Sequence, residues 1–99
     1  MYAVALIRYR RPLEEVLEVT DRHRAYLKDL KEEGILIASG TMDLRSGGML
    51  LLRVPDDDVI GTLDRVRDGD PYVTFGLGQY EVIPWVVGIG KEDLDKITT

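Results

Sequence analysis

The sequence predicts an α+β protein with the element order β-α-β-β-α-β, in which two helices cover one face of a four-stranded antiparallel sheet, as in the ferredoxin-like arrangement. Two observations lead to this fold class. Short β-branched and aromatic runs alternate with two stretches of helical periodicity, and no repeat, linker or low-complexity tract interrupts the 99 residues. We therefore predict one domain over residues 1–90 and a polar C-terminal tail over residues 91–99, with Leu94 and Ile97 as its anchors.

The first strand and the first helix are separated by a proline. Tyr2 to Tyr9 is rich in β-branched and aromatic residues and predicts a strand. Pro12 suits the first turn of a helix, where a missing N–H costs no hydrogen bond. From Leu13 to Glu33 the apolar residues fall on one half of a helical wheel, and Gly34 supplies a left-handed stop. We predict a single helix over this stretch.

The second and third strands form a predicted hairpin. Ile35 to Ala38 is a short apolar run, and a longer run extends from Met49 to Val54 before Pro55. The two runs are joined across Thr41 to Gly48, where Ser46-Gly47-Gly48 supplies the turn chemistry.

A second helix follows the third strand. Asp56 or Asp57 can cap it, and the apolar residues that follow recur at helical spacing. Its predicted core face consists of Val59, Ile60, Leu63 and Val66.

The last strand is predicted over Tyr80 to Ile89. Before it, Asp70-Pro71 resembles a helix N-cap followed by a first-turn proline, so Tyr72 to Phe75 is predicted to form one more helical turn. Pro84 removes one donor from the strand and therefore favours an edge position or a bulge.

Both faces of the sheet are predicted to be apolar. In the last strand Val82 and Val86 alternate with Ile83, Trp85 and Val87. Two helices can cover only one face, and the economical cover for the other is a second identical sheet related by a two-fold axis. We therefore predict a homodimer, that is, a dimeric α+β barrel.

Composition excludes several classes of site and partner. The chain has no cysteine and one histidine, which excludes thiolate nucleophiles, cysteine metal centres and any site that needs two imidazoles. Its net charge of -5 opposes binding to nucleic acid and to anionic membranes. The run Asp56-Asp57-Asp58 lacks the spacing of a calcium loop, so we predict no metal site.

The same composition bears on location and source. The run Tyr2 to Ile7 is far shorter than a membrane span, and no basic stretch precedes it, so we predict a cytoplasmic protein. Asparagine is absent and Gln79 is the only glutamine, a depletion of thermolabile amides that is typical of thermophilic proteins.

His23 is the most informative single residue, because it lies near the middle of the apolar arc of the first helix. It is either a core histidine held by one hydrogen bond or a general base oriented by a carboxylate. Asp70 is the best candidate for that carboxylate, since its segment can return beside the first helix, although it can equally be only an N-cap. Other acids are also available for this role: Asp43, Asp64, Asp68 and Glu81.

A third candidate feature ends the second strand. Ser39, with Gly40 and Thr41, can offer a hydroxyl or backbone donors to a substrate oxyanion. The alternative explanation is ordinary polarity at the end of a strand.

With these residues in view, the chain resembles the YciI-like, or YCII-related, family of small dimeric α+β barrel proteins. Four segments carry the resemblance. They are His23-Arg24-Ala25-Tyr26-Leu27 with Leu30 and Gly34, Ile37-Ala38-Ser39-Gly40, Asp70-Pro71-Tyr72, and Val82-Ile83-Pro84-Trp85. The resemblance implies the same fold and dimer, and a dyad of His23 and Asp70 lining a pocket. Ser39 falls beside the small-residue turn of such pockets, but Thr41 stands where a proline often follows.

Related barrels include dehydrochlorinases, muconolactone isomerases and cofactor-independent monooxygenases, so the fold alone does not settle the function. The resemblance implies lyase or isomerase chemistry without a cofactor on a small, cyclic or phenolic substrate, with His23 as base and Asp70 fixing its tautomer. It further suggests an apolar wall of Tyr72, Phe75 and Trp85, and Arg8 as the partner of an anionic substituent. The alternatives are a ligand-binding accessory module and a purely structural role for the dyad.

Overall fold

A computed structural model describes residues 1–97 as one antiparallel sheet with helices packed against it. The strands are β1 (Tyr2–Tyr9), β2 (Leu36–Thr41), β3 (Gly47–Arg53) and β4 (Gly78–Trp85), in the spatial order β2-β3-β1-β4. The helices are α1 (Leu13–Leu17), α2 (Thr20–Glu32), α3 (Val59–Gly69), α4 (Pro71–Thr74) and α5 (Lys91–Ile97). The predicted fold class, α+β with a ferredoxin-like order, is confirmed.

The core lies between the sheet and the helices. In β1 every second side chain faces the helices, and Ala3, Ala5 and Ile7 are fully buried there. Leu50 and Leu52 on β3 stand beside them, because Ala5 pairs with Leu50 and Ala3 with Leu52. Burial of this stripe holds the helices against the two central strands.

The predicted single helix from Leu13 to Glu33 is two helices. The Val16 carbonyl accepts from the Val19 amide at 3.1 Å and from the Thr20 hydroxyl at 3.1 Å. The Thr20 side chain thus competes for a backbone acceptor that a continuous helix would use, as threonine commonly does. The break separates α1 from α2, and α2 carries His23.

The connection between β2 and β3 differs from the prediction. β2 extends to Thr41, with an irregularity between Leu36 and Ala38, and Asp43–Arg45 forms a 3-10 turn. The left-handed conformations fall on Leu44 (φ 66°) and Arg45 (φ 55°) instead of on the glycines.

Gly47 was predicted to be a turn residue, but it is the first residue of β3. A Cβ atom on Gly47 would stand 1.8 Å from the Ile7 carbonyl oxygen, so only glycine permits this approach of β3 to β1.

β4 ends at Trp85, so the predicted strand to Ile89 is too long. β4 lies at the edge of the sheet, as Pro84 indicated. Val86 and Val87 follow the strand instead of alternating within it.

The C-terminal segment is a helix where a polar tail was predicted. α5 is tied to β1 by a hydrogen bond of 2.6 Å from the Tyr2 hydroxyl to Asp95. Leu94 is half-buried, but Ile97 is 70% exposed and is not an anchor. Residues 98 and 99 of the predicted tail lie outside the described residues, and the domain boundary at residue 90 stays a prediction.

The sheet face opposite α2 and α3 is apolar, and much of it is open. Met49 is 46% exposed, Ile83 42% and Trp85 43%, and half-buried Val4, Leu6 and Leu51 lie on the same face. No helix in the described part of the chain combines the length and the apolar character needed to cross a membrane.

Candidate functional site

Asp70 is the centre of the candidate site. It follows α3 directly and caps α4, where its Oδ1 accepts a 2.9 Å hydrogen bond from the Tyr72 amide. Pro71 occupies the first turn of α4 and needs no such acceptor. The Asp70 side chain is fully buried, so its charge has no access to bulk water.

His23 contacts this carboxylate from α2. Its Nδ1 lies 2.9 Å from Asp70 Oδ1, and its ring stacks on that of Tyr72 with the centroids 4.0 Å apart and the planes 14° apart. The structure therefore brings together the two residues of the predicted dyad. Asp70 makes both contacts that the sequence left open: its side chain caps α4, and its Oδ1 lies within hydrogen-bond distance of His23.

A third donor to Asp70 was not predicted. The Tyr80 hydroxyl, on β4, donates to Asp70 Oδ2. Burial raises the pKa of Tyr80 well above its ordinary value, and the charge of Asp70 and this hydrogen bond add to the rise. Tyr80 therefore stays a hydrogen-bond donor throughout the physiological range of pH.

These contacts define the tautomer of His23. Where the carboxylate is ionised and the imidazole neutral, Nδ1 carries the proton and Nε2 keeps the lone pair, because an ionised carboxylate only accepts hydrogen bonds. Nε2 has no hydrogen-bond partner in the described chain, which contains no buried side-chain nitrogen or oxygen without one. Nε2 is therefore accessible, and the His23 side chain lines a cavity.

The cavity has a volume of about 230 Å³ and lies between α1, α2 and the sheet. One part of its wall is apolar and is formed by Ile7, Leu13, Leu17, Leu27 and Leu50. The polar side chains that line it belong to Tyr9, Thr20, His23, Arg24, Ser39, Thr41, Arg45 and Tyr72.

Thr20 and Tyr72 form one polar pair in this wall. The Thr20 hydroxyl donates to the Val16 carbonyl, so it accepts from the Tyr72 hydroxyl at 2.8 Å. The Tyr72 ring is thereby held in its stacked position over His23.

Ser39, Gly40 and Tyr72 line the cavity, as their assignment to the site requires. Arg8 and Trp85 do not line it, and their assignment to the site stays a prediction. Side chains alternate along a strand, so Arg8 on β1 points away from the helix side on which Ile7 and Tyr9 lie. Arg8 pairs with Glu81 at 3.6 Å, and Trp85 stands opposite Tyr2 on β1.

Phe75 also lies outside the cavity wall. It is 55% exposed, and the Arg22 guanidinium lies 5.4 Å from the centre of its ring.

The alternative acids have other partners. Asp64 and Asp68 pair with Arg67, Glu81 pairs with Arg8, and Asp43 accepts from the Leu44 amide. Only Asp70 contacts His23 among the acids in residues 1–97.

Sequence reasoning missed Arg24, Arg45, Tyr9 and Tyr80. Arg24 follows Thr20 by four residues and precedes Leu27 by three, a spacing that places it at the border of the apolar arc. Tyr80 shares a strand face with Val82, which was detectable from alternation once the strand was placed. Nothing in the sequence indicated that Arg45 would line the cavity, because it does so through a left-handed turn conformation that is unfavourable for arginine.

Within residues 1–97 no three His, Cys, Asp or Glu side chains are grouped as metal ligands.

The fold and the site define a ferredoxin-like α+β protein whose only histidine faces a cavity between helices and sheet. A model of the YCII-related domain family matches residues 1–86, and the chain belongs to this family.

Among solved structures, the chain is similar to the 5-chloro-2-hydroxyhydroquinone dehydrochlorinase of Burkholderia phenoliruptrix AC1100 in complex with 2,5-dihydroxybenzoquinone. The TM-score is 0.69 at 23% identity, and the match covers 89% of this chain and 96% of the dehydrochlorinase chain. At this identity the likeness shows the shared fold. No curated protein sequence matches the chain.

Proposed function

We propose that this protein is a cofactor-independent acid/base enzyme, of lyase or isomerase type, that acts on a small cyclic or phenolic metabolite. The observation that carries the proposal is the 2.9 Å contact of His23 Nδ1 with the buried Asp70 carboxylate, in a histidine that keeps Nε2 accessible and lines the cavity. A histidine with one nitrogen held by a carboxylate and the other free has the arrangement of a general base.

In the proposed reaction Nε2 of His23 removes a proton from a hydroxyl or an activated carbon of the substrate, and Asp70 stabilises the imidazolium that forms. In an isomerisation the same proton returns to another atom of the substrate. In an elimination the leaving group departs with its bonding electron pair, and His23 passes the proton to that group or to water. A positioned base of this kind contributes roughly 100- to 10,000-fold in rate.

The substrate class is supported by two independent points. The solved structure of similar fold belongs to a dehydrochlorinase of a chlorinated hydroxyhydroquinone and holds a dihydroxybenzoquinone. The cavity volume of about 230 Å³ and its aliphatic wall suit one ring with few substituents.

We further propose that the protein is a homodimer whose two sheets pack face to face. The support is the open apolar face of β1, β3 and β4, on which Met49, Ile83 and Trp85 are each more than 40% exposed. A patch of this kind is self-complementary about a two-fold axis, since each protomer offers the same residues.

The proposal is tested with 5-chloro-2-hydroxyhydroquinone and muconolactone as probes. We expect the wild-type protein to convert at least one of them, or to exchange one of its protons with deuterium from solvent. His23→Gln is expected to lower that rate about 100-fold or more while leaving probe affinity within about threefold. Asp70→Asn should lower the rate as well, because a neutral amide no longer stabilises the imidazolium. Its side-chain oxygen can still accept from the Tyr72 amide and from Nδ1 of His23, so nitrogen NMR should show the Nδ1–H tautomer retained.

Glu81→Gln is the matched carboxylate control, since it removes an exposed acid that does not line the cavity. Its rate should equal that of the wild type. Wild-type rates in His23→Gln would overturn the role of His23 as base. Binding of a probe without conversion or exchange by the wild type would favour the ligand-binding alternative instead.

A further inference from the structure

Arg24 and Arg45 both line the cavity and come from two different elements. Arg24 follows His23 on α2, and Arg45 belongs to the 3-10 turn between β2 and β3. No aspartate or glutamate of the described residues lines this cavity, although acids outnumber bases in the whole chain by 18 to 13. The wall is therefore locally positive in a protein of net charge -5.

The two arginine side chains form no ion pair and no side-chain hydrogen bond with any of residues 1–97. The other arginines differ in this respect, since each contacts an acid, an amide oxygen or an aromatic ring. Their partners are Glu81 for Arg8, Gln79 for Arg10, Glu15 for Arg11, Phe75 for Arg22, Tyr2 for Arg53, Glu33 for Arg65, and Asp64 and Asp68 for Arg67. Among residues 1–97, the two guanidinium groups left without a partner are the two that line the cavity.

The backbone at Arg45 is held in an unfavourable conformation. Leu44 and Arg45 have φ values of 66° and 55°, a region that costs an ordinary residue about 1 kcal/mol or more. The Asp43 carboxylate supports this turn by accepting from the Leu44 amide at 3.0 Å. Strain of this kind is concentrated at functional sites, and here it places Arg45 at the cavity.

The positive charges of Arg24 and Arg45 affect the pKa of Tyr9, which lines the same cavity. Burial raises the pKa of Tyr9, the neighbouring Tyr72 adds to the rise, and the charges of Arg45 and Arg24 oppose it. The two guanidinium groups are thus close enough to influence a hydroxyl that lines the same cavity as His23. A guanidinium matches a carboxylate through two parallel hydrogen bonds.

We infer that the cavity binds a single-ring molecule that carries an anionic substituent, a carboxylate above all, and that Arg24 and Arg45 recognise this substituent. The inference deepens the proposed function, on which it rests, by naming the charge of the substrate. The aliphatic wall then holds the ring, and the two arginines orient it relative to Nε2 of His23.

The test compares two probes that differ only in a carboxylate, 2,5-dihydroxybenzoate and hydroquinone. Binding to the wild type is measured by calorimetry and by the NMR shifts of the single histidine. We expect the benzoate to bind about tenfold tighter, a difference that corresponds to one charge-assisted contact, and the preference to shrink at high salt. Arg24→Gln and Arg45→Gln should each reduce the preference about threefold or more, and the double variant should remove it.

Arg22→Gln is the matched control, because it removes one charge from the same helix outside the cavity and should keep the preference within about twofold. The inference is overturned if the wild type binds both probes equally, if it binds neither, or if the preference survives in the double variant. His23→Gln separates this inference from the proposed function. It should keep the carboxylate preference even where it loses catalysis.

Discussion

At the scale of single residues, the candidate site is organised around one buried acceptor. Asp70 accepts from the Tyr72 amide, from His23 Nδ1 and from the Tyr80 hydroxyl, and each donor belongs to a different element. A buried carboxylate is costly unless such donors satisfy it. One of these bonds joins the carboxylate to the imidazole of His23, and the other two hold the carboxylate in place.

Tyr80→Phe is predicted to destabilise the protein more than Tyr72→Phe. Tyr80 donates to a buried carboxylate, and hydrogen bonds to charged groups contribute about 1.5–3 kcal/mol, against about 0.5–1.5 kcal/mol for neutral pairs such as Tyr72 and Thr20. Chemical denaturation of the two variants measures the difference. Equal losses of unfolding free energy would contradict the ranking.

At the scale of elements, glycine at position 47 decides how closely β3 approaches β1. Gly47→Ala is predicted to cost more than about 2 kcal/mol, because its Cβ would meet the Ile7 carbonyl oxygen at 1.8 Å and neither backbone can move cheaply. Gly88→Ala is the control, since nothing lies within 4 Å of its Cβ position. Similar melting temperatures for the two variants would show that the strands adapt.

Tyr26 links α2 to the end of α3 and makes the free energy of unfolding depend on pH in the alkaline range. Its hydroxyl donates to the Val66 carbonyl at 2.9 Å, and burial, followed by the charge of Asp70, raises the pKa of Tyr26 to about 12. Folding therefore favours the neutral phenol. The resulting stability is fully present below the unfolded pKa of about 10 and is lost as pH rises from there through about 12.

The Tyr26→Phe variant isolates this contribution. It should be less stable than the wild type at pH 8 by about 0.5–1.5 kcal/mol, and this gap should narrow between about pH 10 and pH 12. Unfolding free energies from urea titrations at several pH values measure the gap. A gap that stays constant would contradict the assignment.

At the scale of the whole molecule, the open sheet face predicts self-association. We expect light scattering to give twice the 11.2 kDa mass of the chain. Ile83→Lys, on this face, should shift the mass toward that of the monomer, because a charge would be buried at the centre of the interface. Ile60→Lys is the control on α3, where the side chain is 64% exposed. A wild-type mass of one chain at all concentrations would contradict the dimer.

Periodicity and capping determined most of the fold from the sequence alone. The order of strands and helices, the edge position of Pro84, the inward direction of His23 and the cap at Asp70 all follow from spacing and local chemistry, because these features depend on neighbours along the chain. The sequence left several acids open as partners of His23, and Asp70 was the best candidate among them.

The tertiary structure decided what depends on distant partners. The Thr20 hydroxyl bonds to the Val16 carbonyl where α1 and α2 separate, Gly47 is required by a carbonyl of β1, and Arg8 falls on the face opposite Ile7 and Tyr9 once the register is set. Tyr80 reaches Asp70 only because β4 lies beside β1, and Arg45 reaches the cavity only through a strained turn. Interactions between residues close along the chain are enough to predict most helices and strands. The contacts of a site depend instead on how those helices and strands pack together.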